Sequence, residues 1–157
     1  MTRINGHVTK KKSPFKLMPF DMSEEELQIM CYNWLESSKY RVLTKLYFFN
    51  SFQGMYLTGR QRAQAKRTGG FNSGMPDFMF LKNNGSYSGL FIELKKDCPY
   101  NKDGTLQKHF DKKTGKDHYA EQNDVLELLK IEGHYACFVW SLEQFKTLVT
   151  KYMENQL

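Results

Sequence analysis

Two short segments of the sequence carry side chains that could act together on a phosphodiester bond. Asp77 ends the segment GMPD, and Glu93 and Lys95 lie two residues apart in FIELK. Residues two apart on a strand point to the same face of a sheet. Carboxylate oxygens suit Mg²⁺, which activates water and polarises a phosphoryl oxygen, while a nearby amine stabilises the charge that develops. The three residues therefore predict metal-dependent hydrolysis of phosphodiester bonds.

The pairing of the two segments decides whether the three side chains can meet. FMFLK and LFIELKK flank the turn-forming residues 83–86, NNGS, and this pattern predicts a β-hairpin. A two-residue turn would pair Asp77 with Ile92, on the face away from Glu93. A three-residue loop or a bulge pairs Asp77 with Glu93 instead, so the hypothesis requires one of these.

The charged pair of the second segment also has an ordinary explanation. A glutamate and a lysine on one strand face often point to solvent. Here the neighbouring residues are apolar, and two charged side chains on an apolar strand are costly without partners. We therefore favour a functional role for Glu93 and Lys95.

Periodicity and end signals predict the elements that must position these residues. Two helices are predicted to start with a capping box, Ser23 with Glu26 and Ser141 with Gln144. The predicted order around the hairpin is a helix over 23–37, a strand over 42–49, a short basic helix over 59–68, a polar loop over 97–117, a helix from 119 that Gly133 stops, a strand over 134–140 and a final helix. This order predicts an α/β fold with a central mixed sheet covered by helices.

Composition predicts one globular domain that meets a polyanion. The chain has 157 residues, 40% of them hydrophobic, which suits a single domain over 21–157 after a basic N-terminal arm over 1–20. The net charge is +6, and residues 37–76 carry seven basic residues and no acidic one. Phosphate backbones bind such surfaces, although a solubilising charge bias explains the same pattern.

Cysteine usage and hydropathy predict the compartment. The three cysteines form no CxxC pair, so the sequence supports neither a disulfide framework nor a zinc site. No apolar run approaches the length of a membrane span. We expect a protein without membrane association in the cytoplasm, or in the nucleus of a eukaryote.

Three segments in the right order carry a resemblance to a known family. GMPDFMFL, GLFIELKK and AEQNDVLELLKIEGHYACFVWS resemble the VRR-NUC branch of the PD-(D/E)XK nucleases, in particular its standalone phage and bacterial members. The resemblance covers roughly residues 23–150. It implies a restriction-endonuclease-like fold and Mg²⁺- or Mn²⁺-dependent DNA cleavage. The standalone members are similar to Holliday-junction resolvases that act as homodimers, which implies branched DNA as the partner.

The resemblance also implies a role for each residue of the site. Asp77 and Glu93 match the metal ligands, with the backbone carbonyl of Leu94 as a third, and Lys95 matches the catalytic amine. Gln122 matches a glutamine that opens the next helix and points into the site, although a polar residue in a first helical turn is often merely exposed.

The family places one more acidic residue on its first helix, where this sequence offers three glutamates. Glu24 matches best and is expected to be a catalytic residue and a metal ligand, with Glu25 as the alternative. Glu26 is better explained as the capping-box partner of Ser23. Acidic residues that simply favour the positive end of a helix explain all three equally well.

Two basic regions are candidates for contact with DNA. The first consists of Arg60, Arg62, Lys66 and Arg67, which we call the basic-helix cations and expect to hold phosphates, unless they form only a solvated helix face. The second is the loop over 97–117, an insertion relative to shorter relatives. It is either a substrate-contacting loop or disordered.

The sequence leaves several functions open within this chemistry. A Holliday-junction resolvase is the leading hypothesis, and a flap, nick or replication-fork nuclease is the alternative from the same chemistry. A catalytically silent DNA-binding module of the same fold is the alternative from another class. The intact set of Asp77, Glu93, Lys95 and Gln122 argues against the silent module, because a retired site has no physical reason to keep charges on an apolar strand.

Overall fold

The sheet and its helices occupy three parts of the chain. The computed structural model describes residues 22–48, 58–68 and 74–157, so the predicted basic arm over 1–20 lies outside the described residues. The elements are α1 (Glu24–Ser37), a 3₁₀ helix (Arg41–Lys45), β1 (Tyr47–Phe48), α2 (Gly59–Arg67), β2 (Phe78–Phe80), β3 (Leu90–Leu94), α3 (His118–Ile131), β4 (Tyr135–Val139) and α4 (Leu142–Met153). Among the described residues, no helix is both long and apolar enough to cross a membrane.

The four strands form one mixed sheet in the order β1-β2-β3-β4. β1 pairs with β2 and β2 with β3 in antiparallel fashion, while β3 and β4 run parallel. The parallel pair needs a crossover, which the 97–117 loop and α3 provide. The α/β fold with a mixed sheet flanked by helices is as predicted.

Alternation along β3 assigns its side chains to the two faces of the sheet. Leu90, Ile92 and Leu94 are fully buried in a core cluster with residues of α1 and α4. Phe91 instead packs on the other face, in a second cluster with Leu126 of α3. The same alternation directs Glu93 and Lys95 toward the α3 side.

The register of β2 and β3 agrees with the pairing that the functional hypothesis requires. Phe78 pairs with Ile92 and Phe80 with Leu90, so Asp77, one residue before β2, lies opposite Glu93. The antiparallel pair is therefore confirmed. The connection is longer than a tight turn, because the strands end at Phe80 and resume at Leu90.

Asn84 holds this connection together through its buried side chain. Its Oδ1 accepts hydrogen bonds from the backbone N–H groups of Ser86 and Tyr87, at 3.0 and 2.8 Å. Its Nδ2 donates to the carbonyl of Tyr152 in α4 at 3.1 Å. The turn is thereby tied to the helix beneath it.

The predicted strand over 42–49 is wrong for most of its length. Residues 41–45 form a 3₁₀ helix, only 47 and 48 are in a strand, and residue 49 lies outside the described residues. The side chains of Tyr40 and Leu43 are buried with α1 in the first core cluster. This packing outweighs the β propensity of the aromatic and branched residues.

The helix starts follow the capping signals closely, with one correction. Ser23 and Glu26 form the complete predicted capping box of α1. At α4, Ser141 accepts from the N–H of Gln144, but Gln144 Oε1 accepts from the N–H of Trp140 rather than from Ser141. The second capping box is therefore incomplete.

Candidate active site

Three predicted site residues lie together where β3 ends. Asp77 Oδ2 accepts a hydrogen bond from the backbone N–H of Leu94 at 2.8 Å. Lys95 Nζ donates to Glu93 Oε1 at 2.8 Å. Because Asp77 lies opposite Glu93 in the register, two carboxylates and one ammonium group share one face at this edge of the sheet.

Burial governs the electrostatics of this group. Only 1% of Glu93 and 3% of Lys95 is exposed to solvent. Burial, reinforced by the nearby charge of Asp77, raises the pKa of the Glu93 carboxyl to about 8 although Lys95 opposes the change. Burial also raises the pKa of Asp77, against the opposing effects of the Leu94 N–H and Lys95. Both carboxyl groups therefore resist ionisation without a compensating cation.

The structure brings Gln122 to the same place. Gln122 lies in α3 and donates from Nε2 to Glu93 Oε1, the oxygen that also accepts from Lys95. Glu93 Oε2 and Gln122 Oε1 are buried and have no hydrogen-bond partner among the described residues. Buried acceptors normally have a hydrogen-bond donor, so two unpartnered acceptors in one site indicate that a cation or another donor binds there.

Of the three glutamates in the first turn of α1, only Glu24 reaches the site. Its Oε1 accepts from the backbone N–H of Lys96 at 3.2 Å and lies 4.0 Å from Lys95 Nζ. Glu25 is exposed, and Glu26 is engaged in the capping box. The geometry favours Glu24 over Glu25 as the acidic residue of this helix.

Two aromatic rings beside Lys95 were not predicted from the sequence. The ring centroids of Tyr119 and Phe138 lie 5.5 and 5.9 Å from Lys95 Nζ. Such contacts stabilise a desolvated ammonium group. Tyr119 lies three residues before Gln122, and this spacing on one helix face could have indicated it.

The basic-helix cations have a different place in the structure. α2 starts with an unpredicted capping box, in which Thr58 and Gln61 exchange hydrogen bonds. Arg60, Arg62 and Arg67 are exposed, and none of them forms an ion pair with any described residue. The side chain of Lys66 lies outside the described residues. Among the described residues, no hydrogen bond joins Arg60, Arg62 or Arg67 to Glu93, and a role for these cations at the site stays a prediction.

Few groups in the site could hold a metal ion. In the described part of the chain, no three His, Cys, Asp or Glu side chains are grouped as a metal site. A metal here would need Asp77 and Glu93 together with other oxygen donors, and the family resemblance implies the Leu94 carbonyl as one of them. Oxygen donors of this kind suit a hard divalent cation, and the unpartnered Oε2 of Glu93 fits one.

Comparison with known proteins finds similarity at the level of structure. The sequence matches no family model and no curated protein. A solved structure described as a VRR_NUC domain protein superposes with a TM-score of 0.58 at 21% sequence identity, and the match covers 85% of this chain and 90% of that chain. At this identity the two proteins share a fold, which is the restriction-endonuclease-like α/β fold expected from the sequence.

Proposed function

We propose that this protein is a divalent-metal-dependent DNA nuclease of the VRR-NUC branch of the PD-(D/E)XK nucleases. The observation that carries the proposal is the buried carboxylate of Glu93. One of its oxygens accepts from Lys95 and Gln122, and the other has no partner among the described residues. Burying a carboxylate oxygen without a hydrogen-bond partner costs free energy, and a cation bound beside Glu93 and Asp77 would offset that cost. The fold shared with a VRR_NUC domain protein supports the same assignment.

Mg²⁺ or Mn²⁺ is the proposed cofactor. Asp77 and Glu93 would hold the ion, with the Leu94 carbonyl as a further ligand. Glu24 is not grouped with these carboxylates as a metal site in this structure, so it would have to move toward the ion to join them. The bound ion would lower the pKa of a nearby water molecule and polarise a phosphoryl oxygen. Binding would lower the raised pKa of both carboxyl groups and favour their ionised forms, because the ion supplies the positive charge that burial otherwise denies them.

The remaining residues of the site would act on the nucleophile and on the phosphate. Lys95 has its ammonium group fixed by Glu93 and flanked by the rings of Tyr119 and Phe138. In this low-dielectric position it would stabilise the negative charge that develops on the phosphate. Gln122 Oε1 would accept a hydrogen bond from the attacking water and orient it.

The proposed substrate is branched DNA, with the four-way Holliday junction as the first choice. The family resemblance supports this choice, and resolution of a two-fold symmetric junction would need a homodimer with two sites. The basic-helix cations, of which Arg60, Arg62 and Arg67 are exposed, supply charge that would hold the phosphate backbone.

The decisive experiment offers the protein several labelled DNA structures with Mg²⁺ or Mn²⁺. We expect cleavage of a four-way junction by paired symmetric cuts, no cleavage with a chelator, and no cleavage by Glu93→Gln. Glu25→Gln is the matched control, because this exposed glutamate lies on the same helix turn as Glu24 without contacting the site. If only flap, nicked or fork DNA is cleaved, that DNA structure replaces the four-way junction as the proposed substrate. If the protein binds DNA but cleaves no substrate, the catalytically silent DNA-binding module is the remaining function and the proposal is overturned.

A further inference from the structure

The 97–117 loop leaves the candidate site and returns to it. It starts two residues after Lys95, and its last residue, Asp117, is the N-cap of α3. The His109 ring stacks on the Tyr119 ring, with centroids 5.3 Å apart and planes at 22°. The Tyr119 ring in turn lies 5.5 Å from Lys95 Nζ. The Tyr119 ring therefore links His109 of the loop to the ammonium group of Lys95.

Local hydrogen bonds give this part of the loop a defined shape, where the sequence left a substrate-contacting loop and a disordered one as alternatives. Phe110 and Asp117 form a β-bridge, and the N–H of His118 donates to the carbonyl of His109 at 2.8 Å. Asp117 Oδ1 also accepts from the N–H of His109 at 3.0 Å.

Asp111 closes the turn that follows. Its Oδ1 accepts from the N–H of Lys113 and from the N–H and hydroxyl of Thr114, at 2.9, 2.6 and 2.9 Å. These bonds lower the pKa of Asp111 to about 2. The backbone on both sides of Phe110 is thus held in place.

The side chain of Phe110 projects from this turn into solvent. It is 56% exposed and makes no ring contact with a described residue. Three exposed lysines surround it in the chain, Lys108, Lys112 and Lys113, and none of them forms an ion pair with a described residue. Asp111 and Asp117 offset part of this positive charge, although backbone N–H groups of the turn engage both carboxylates. An exposed ring beside three exposed lysines suits a nucleobase stacked on the ring and phosphates near it. A protein interface or a membrane would require a broader apolar surface.

We propose that Phe110 stacks on an unpaired or unstacked base at the branch point of DNA held in the active site. The proposal rests on the proposed nuclease function and adds a residue that selects branched over linear DNA. An intact duplex hides the faces of its bases except at its ends, whereas a branch point exposes them. His109, the neighbour of Phe110, reaches Lys95 through the Tyr119 ring in two ring contacts of 5.3 and 5.5 Å, so the turn that carries Phe110 is attached to the candidate site.

The test uses the full chain without metal and four-way junctions that carry 2-aminopurine at successive positions from the branch point. We expect the wild-type protein to change the fluorescence at one of these positions. Phe110→Ala should lose that change and bind the junction about 5- to 150-fold more weakly, the usual range for loss of one base-aromatic stack, with unchanged affinity for linear duplex. Phe110→Trp should retain both properties. Ile131→Ala is the matched control, because Ile131 is 77% exposed at the end of α3.

The outcomes separate this inference from the proposed function. The stacking proposal is overturned if Phe110→Ala matches the wild type in fluorescence and affinity, or if it lowers the affinity for linear and branched DNA equally. Either result overturns it even if the protein cleaves junctions. If the wild type stacks on the base but cleaves nothing with Mg²⁺ or Mn²⁺, the nuclease function fails and the stacking proposal stands. If the wild type binds no DNA, both are overturned. Unchanged thermal unfolding of Phe110→Ala is expected, because the ring is largely exposed.

Discussion

Replacement of Lys95 by methionine should separate catalysis from metal binding. Methionine keeps much of the length and apolar character of the lysine side chain, so the buried position stays filled while the ammonium group is lost. That group donates to Glu93 Oε1 at 2.8 Å and lies 4.0 Å from Glu24. The variant therefore removes one cation from a site that still contains its carboxylates.

The structure sets the expected size of each effect. Loss of one charge contact in the transition state typically lowers the rate about 10²- to 10³-fold, equivalent to about 2.7 to 4 kcal/mol. Breaking a buried ion pair can cost about 3 to 5 kcal/mol of stability. Here Glu93 can take up a proton, because its pKa is already about 8. At neutral pH the loss should therefore fall to about 1 to 3 kcal/mol, the cost of an unmade buried hydrogen bond.

Three measurements test this prediction, with Lys96→Met as the control because Lys96 is the next residue and is exposed. Single-turnover cleavage of a four-way junction at saturating Mg²⁺ should be slow for Lys95→Met and normal for the control. Calorimetric titration should show Mg²⁺ affinity unchanged or higher, since the ammonium no longer competes for Glu93. Denaturant unfolding gives the stability. Wild-type cleavage by Lys95→Met would refute the proposed role, and a parallel loss of metal affinity would show that Lys95 builds the site instead.

Three further changes address the ligands and the DNA surface. Asp77→Asn should lower Mg²⁺ affinity and cleavage together in calorimetry and cleavage assays, because a metal ligand is lost; full recovery at high Mn²⁺ would contradict that role. The pKa of Glu93 rises from 4.5 to about 8 on folding, so its contribution to the stability of the metal-free protein is present below pH 4.5 and lost as pH rises through 8. Denaturant unfolding across this range should show that loss in the wild type and not in Glu93→Gln. Replacement of all basic-helix cations by alanine should reduce the slope of log affinity against log salt by about three to four, and an unchanged slope would exclude them from the phosphate surface.

The core of the candidate site could be predicted because its geometry depends on short-range rules. The period of two along a strand puts Glu93 and Lys95 on one face, and the register that places Asp77 opposite Glu93 is the one that the functional hypothesis required of the hairpin. The start of α1 was equally accessible, since the bond between Ser23 and Glu26 spans three residues.

What the sequence did not reveal depends on how elements pack. The position of Tyr119 over Lys95 depends on where α3 lies against the sheet, which no local pattern specifies. The 3₁₀ helix at residues 41–45 replaced a predicted strand because Leu43 is buried against α1. The local shape of the 97–117 loop depends on hydrogen bonds of aspartates such as Asp111. The charge pattern of the sequence does not predict these bonds.

The crossover between β3 and β4 makes the 97–117 loop exchangeable. Backbone hydrogen bonds fix the parallel pair at both ends, from Tyr135 N–H to the Gly89 carbonyl and from Lys95 N–H to the Val139 carbonyl, each at 2.9 Å. The loop lies between these strands in the chain without contributing to their register. Evolution could thus lengthen, shorten or replace it while the carboxylates stay in place. A graft of this loop onto another protein of the same fold would transfer the projecting ring of Phe110 as a module.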